Sequence, residues 1–273
     1  MHDHDRGLSF DLSTLVTRRR ALQLAAVGGL AAVVAGCGGS SSGSSDATTG
    51  ATTGATGSVA DAGGGATAEI PEETAGPFPA DGSNGVDVLG ESGIVRSDIT
   101  TSFGSGSATA AGVPMAIALT VLDVAKGGAP VQGAAVYLWH CDREGRYSLY
   151  DESIAAENYL RGVQESGEDG TLTFKTIFPA AYQGRWPHVH FEVYESLDAA
   201  TQGGSKLRTS QLAIPRETCE AVYATPGYEQ SVANLAQLSL ESDMVFADGY
   251  ASQLATVSGS VEDGYTLTLN VGV

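Results

Sequence analysis

Arg185-Trp186-Pro187-His188-Val189-His190-Phe191 is the stretch on which the reading of the whole chain turns. In a β-strand, residues i and i+2 point to the same face. His188 and His190 therefore share one side, while Val189, Phe191 and Val193 share the other. A helix would turn the two imidazoles apart. The spacing predicts a strand whose paired histidines converge on one ion, hence a metal site built on a sheet. Tyr182 stands shortly before the pair and Tyr147 further back.

Working outward, the pattern stays strand-rich. Residues 115–124 alternate apolar with small or polar side chains, Gly127-Gly128-Ala129-Pro130 signals a turn, and residues 134–139 form a second aromatic and β-branched run. This predicts a hairpin or a sandwich edge. After the turn at Glu168-Asp169-Gly170, residues 171–177 place Leu172 and Phe174 inward and Lys175 outward, and residues 189–194 follow. Residues 229–240 carry Val232, Leu235, Ala236 and Leu238 at helical spacing, and residues 264–273 close the chain with alternating Tyr265, Leu267 and Leu269. The expected fold is an all-β sandwich with short helical segments, spanning residues 69–273 as one domain.

The N-terminus reads as an address. Arg18-Arg19-Arg20 precede a short apolar run, residues 21–35, and Val34-Ala35-Gly36-Cys37 resembles a lipobox. Residues 1–37 are thus expected to be a twin-arginine-type lipoprotein signal with lipidation at Cys37. An ordinary secretory signal or an uncleaved membrane helix are the alternatives. Residues 38–68, almost wholly Gly, Ser, Ala and Thr, cannot bury enough apolar surface to order themselves and read as a flexible tether. The expected location is the cell envelope, with membrane contact only through the lipid anchor. A formal charge of -18 excludes nucleic acid as a partner class, since phosphate binding needs clustered Lys and Arg. With Cys37 lipidated, Cys141 and Cys219 remain as one possible disulfide in an oxidising compartment, two buried thiols being the alternative.

Gly145-Arg146-Tyr147 after Val136-Tyr137-Leu138-Trp139, then Phe178-Pro179-Ala180-Ala181-Tyr182, then Arg185 through Phe191, together resemble the signature of intradiol ring-cleavage dioxygenases. Glu73-Thr74-Ala75-Gly76-Pro77-Phe78 is similar to the Gly-Pro segment near the start of that family's domain, and Thr209-Ser210-Gln211 to its Gln-bearing strand. The resemblance implies that Tyr147, Tyr182, His188 and His190 are ligands of a non-haem Fe(III). It makes Tyr182 the departing ligand and a proton acceptor, Arg185 and Gln211 catalytic, and Gly76 and Pro77 either substrate-lining or a simple turn. The implied reaction opens a catecholic diol with O2 between its hydroxyls to a cis,cis-muconate-type product. The stretch between Tyr182 and His188 is shorter than in familiar members, which implies a more open pocket, and the oligomeric state stays open between a monomer and a pairing through the sandwich.

The donor chemistry agrees with that implication. Phenolate oxygen is a hard donor and imidazole an intermediate one, so two of each suit a trivalent ion better than Zn(II) or Cu(I). A phenol of ordinary pKa about 10 loses its proton on binding such an ion. His140, on the other face from Tyr137 and Trp139, is expected to be structural, and Arg185 has a solvated salt bridge as its plainer use. Two alternatives of other classes remain. One is a metal-free, transthyretin-like binding module on a tether. The other is a zinc hydrolase using the His-x-His pair, which lacks an evident general base because Glu192 reads as outward or structural.

Overall fold

Residues 68–273 are described by the computed structural model, so the expected signal, the tether up to residue 67 and Cys37 lie outside the described residues. Nine strands follow in order among the described residues: β1 (Pro114–Asp123), β2 (Ala129–Pro130), β3 (Ala135–Trp139), β4 (Arg161–Glu165), β5 (Thr171–Ile177), β6 (His188–Tyr194), β7 (Lys206–Ala213), β8 (Thr256–Ser260) and β9 (Gly264–Gly272). Three short helices, α1 (Leu197–Thr201), α2 (Arg216–Tyr223) and α3 (Glu229–Leu235), interrupt them. One sheet has the order β2-β1-β9-β8 with β5 also paired to β1, and the other runs β4-β3-β6-β7. Among these named strands, β1 and β9 are the one pair that runs parallel. No helix of the described residues is long and apolar enough to cross a membrane.

Alternation builds the core between the sheets. Met115, Ile117, Leu119 and Val121 of β1, Leu172 and Phe174 of β5, and Leu267, Leu269 and Val271 of β9 point inward against Val136, Leu138, Val189, Phe191, Val193 and Leu212 of the second sheet. Lys175 points out, as the alternation predicts. Burying each such side chain is worth about 1.5–3 kcal/mol. Phe191 is fully buried and lies on the strand face opposite both histidines. Phe191→Ala is expected to cost about 3–5 kcal/mol in a urea unfolding curve, and a loss below about 1 kcal/mol would contradict this packing.

The second sheet is buried on its outer face too. Every residue of β3 and of β6 is buried. A second apolar cluster explains this, because Ala80, Val88, Leu89 and Ile94 from the N-terminal segment, with Tyr147 and Ala200, cover Tyr137, Trp139 and Tyr194. The candidate site lies on this covered face.

Several expectations need correction. Residues 115–124 and 134–139 do not form a hairpin. β1 pairs with β2, β5 and β9, whereas β3 sits in the other sheet. The helix expected over residues 229–240 ends at Leu235, and Val232 is exposed. Cys141 and Cys219 are free thiols instead of a disulfide. Each packs in a different apolar cluster, with Cys141 Sγ directed at Ala180 O at 3.8 Å and Cys219 Sγ at Ile214 O at 3.9 Å. Burial pushes both thiols well above their ordinary pKa, so neither is a ready nucleophile. Of the two readings of Glu192, the outward one is overturned and the structural one fits: it is fully buried, paired with Lys206 at 2.6 Å and accepting from Tyr194 Oη at 2.7 Å.

Candidate metal centre

Four side chains meet on the covered face of the second sheet. Tyr147 Oη lies 3.4 Å from Tyr182 Oη, which is 3.2 Å from His188 Nε2, itself 3.1 Å from His190 Nε2. Two donors come from β6 and two from loops. Strand periodicity puts both histidines on one face, and the register sets Trp139 and Gln211 on either side of His190.

The loop donors are held by backbone geometry. Asp142 accepts from the Glu144 and Arg146 amides at 2.9 and 3.0 Å, closing the turn that presents Tyr147. Its carbonyl accepts from the Ala180 amide at 3.1 Å, tying this turn to the loop that carries Tyr182. Gly145 has φ +85°, and a Cβ there would come within 3.1 Å of Tyr182 Cβ. A glycine meets both demands. From α3, Ser231 Oγ accepts the Ala181 amide at 3.1 Å and Asn234 Nδ2 donates to Ala181 O at 2.8 Å, fixing the residue before Tyr182.

Each imidazole is oriented by a different means. His188 Nδ1 bonds the Trp186 carbonyl, which requires the proton on Nδ1 and leaves a lone pair on Nε2. His190 stacks on Trp139, with centroids 4.9 Å apart and planes within 5°. Burial, reinforced by the charge of Arg185, brings His188 down to about 3, and burial also holds His190 well below its ordinary pKa. Both rings are neutral near pH 7. Burial keeps the Tyr147 phenol protonated well above its usual range unless a cation stands beside it. Neutral imidazole nitrogens 3.1 Å apart, next to two phenol oxygens, fit a hard, multiply charged cation at their common centre. Among the described residues no group of three or more His, Cys, Asp or Glu is placed to hold a metal.

Around the donors lies a polar frame. Arg185 Nη2 donates to Gln211 Oε1 at 2.6 Å, and Gln211 Nε2 donates to Thr74 O at 2.9 Å. That chain reaches the Gly-Pro segment. Gly76 has φ +70°, and a Cβ there would sit 3.2 Å from His190 Cε1. Gly76 therefore does more than turn, since it lets the backbone close over the histidine. Pro77 is half-buried and its carbonyl accepts from Asn84 Nδ2 at 2.7 Å. Arg185 does pair with an acid, Asp243, at 3.0 Å, but the pair is buried rather than solvated. His140 is held between Cys141 O at 2.8 Å and Thr176 Oγ1 at 2.7 Å, consistent with a structural role.

Asp243 and the stacking role of Trp139 were not legible beforehand. Asp243 follows a single 3-10 turn, Leu240–Ser242, with no motif to mark it. Glu73 opens the Gly-Pro segment, but nothing in that motif marks its carboxyl as unusual. Burial first, then Asp248, raises its carboxyl to about 7. The folded protein thus keeps a proton that the unfolded chain sheds near 4.5, so stability is fullest below that value and is lost as pH rises toward 7. Glu73→Gln is expected to flatten this slope in urea midpoints taken between about pH 5 and 7.5, and an unchanged slope would assign the dependence to another group.

A family model described as dioxygenase matches residues 91–203. Catechol 1,2-dioxygenase 1 of Acinetobacter lwoffii is 32% identical over 125 residues, which cover 45% of this chain and 36% of that protein. Chlorocatechol 1,2-dioxygenase of Rhodococcus opacus is 34% identical over 56 residues, covering 20% of this chain and 22% of that one. The chain thus spans little more than a third of the first relative's length. Among solved structures, an intradiol ring-cleavage dioxygenase from Tetranychus urticae superposes with a TM-score of 0.54 at 25% identity, covering 67% of this chain and 87% of that chain.

Proposed function

We infer that the chain belongs to the intradiol ring-cleavage dioxygenase family, and on that basis we propose that Tyr147, Tyr182, His188 and His190 hold a ferric ion and that the site opens a catechol-type diol with O2 between its two hydroxyls. The observation that supports this most is the unbroken series of contacts, 3.1–3.4 Å, linking the four donor atoms. A ferric ion bound there would supply the Lewis acidity that makes a chelated catecholate reactive toward O2. The product is a cis,cis-muconate-type diacid carrying both oxygen atoms.

The protein's own groups divide the remaining work. Tyr182 is half-buried whereas Tyr147 is buried, so Tyr182 is the phenol with room to swing out and accept a substrate proton. Arg185, held by Asp243 and Gln211, is a fixed cation that offsets negative charge developing on the ring. Gly76 and the aromatic ring of Phe78, 5.0 Å from that of Tyr147, wall the site from the N-terminal side and exclude water. Export to the cell envelope through residues 1–37 would present the site to diols from outside the cell.

A visible spectrum with an iron assay tests the reading. Tyrosinate bound to Fe(III) gives a charge-transfer band, so the purified protein should be reddish and hold one iron per chain. A colourless protein that takes up no Fe(III) would remove the ferric reading.

A further inference from the structure

Arg161 is buried at 1% exposure, and its hydrogen bonds go to neutral acceptors. Nε donates to Ser148 Oγ at 3.1 Å and Nη2 to Ser148 O at 3.0 Å. Nη1 donates to Pro79 O at 3.1 Å and to Tyr137 Oη at 3.2 Å, and that hydroxyl donates in turn to Pro79 O at 2.7 Å. One guanidinium on β4 thus grips the residue after Tyr147 and the segment that carries Gly76 and Phe78.

A second observation converges on the same place. Among the described residues, three non-glycine residues have positive φ: Ala80 at 53°, Leu149 at 72° and Leu160 at 58°. Such backbone is strained for side chains of this kind and persists only where the surroundings over-determine it. Ala80 follows Pro79, Leu149 follows Ser148, and Leu160 precedes Arg161. All three strained points adjoin the Arg161 knot.

We propose that Arg161 is a positioning residue that holds the Tyr147 phenol in the four-donor centre by locking the strained Ser148–Leu149 and Pro79–Ala80 turns together. The planar fork matters as much as the charge, because its nitrogens reach both turns at once and an ammonium presents a single point. The inference rests on the four-donor reading given above.

Fe(III) titration of the full chain, with the visible band and thermal midpoint recorded, tests it in Arg161→Lys and in the milder Tyr137→Phe, which removes only the bridging hydroxyl. Arg161→Lys is expected to lose about ten- to a hundredfold in iron affinity, the usual effect of removing a partner that orients a metal ligand, and to displace or weaken the band. Tyr137→Phe should move both readouts in the same direction by less. A purely structural role would lower the midpoint and leave the folded fraction with the parental band. Folded variants with parental iron affinity and band overturn this inference alone, and should Arg161→Lys fail to fold, Tyr137→Phe decides it. A parent that takes up no iron removes the four-donor reading and this inference together.

Discussion

His188→Ala is expected to abolish bound iron and the visible band, with a loss in affinity beyond about a hundredfold, the upper range for groups that only orient a ligand. His188 Nε2 is the donor that contacts both Tyr182 and His190, at 3.2 and 3.1 Å, so its removal leaves Tyr147 and Tyr182 on one side and His190 on the other. Its Nδ1 bond to Trp186 O goes at the same time, loosening the turn from Arg185 into β6. Metal content by elemental analysis and the absorption spectrum check this, with circular dichroism to verify the fold. Full iron occupancy in a folded His188→Ala protein would remove this residue from the proposed ligand set.

Asp243→Ala should be nearly as damaging although the residue touches none of the four donors in the bonds described. Its carboxylate, wholly buried, accepts from Arg185 Nε at 3.0 Å and from the Trp186 amide at 2.7 Å, and its other oxygen accepts from the Val245 amide at 2.8 Å. Truncation removes the carboxylate that pairs with a buried guanidinium, and breaking a buried pair costs about 3–5 kcal/mol. The backbone consequence is equally direct. Trp186 links Asp243, through its amide, to His188, through its carbonyl, so the ligand-bearing turn loses its anchor. Urea unfolding and iron titration should therefore both respond, whereas Asp243→Asn, which keeps shape and one carbonyl acceptor, should lose less of each. A change in stability within about 0.5 kcal/mol, the range of surface substitutions, would show that Arg185 finds its compensation elsewhere.

The two histidines were legible because strand geometry converts sequence alternation into faces without help from the rest of the chain. The same logic oriented Leu172, Phe174 and Lys175. It failed for β4, Arg-Gly-Val-Gln-Glu, whose composition carries no strand signal and which is a strand because β3 offers it a ladder from Ala135 to Trp139. It failed for α2 as well, an eight-residue helix whose N-cap is Pro215 and which gains its place by burying Cys219, Val222 and Tyr223. For the cysteines, number and compartment suggested a bridge, but whether two thiols meet depends on where distant elements pack, and here they enter separate clusters.

By itself the order of residues determined an all-β fold and, through spacing and family resemblance, singled out Tyr147, Tyr182, His188 and His190 as side chains to look for together, because alternation and short motifs are local properties that survive in a linear string. Only the tertiary structure decided that both faces of the second sheet are covered, that Asp243 and Arg161 brace the donor loops, and that Glu192 points into the protein. Those are contacts between residues far apart in the chain, and no local pattern encodes which buried charge will find which partner.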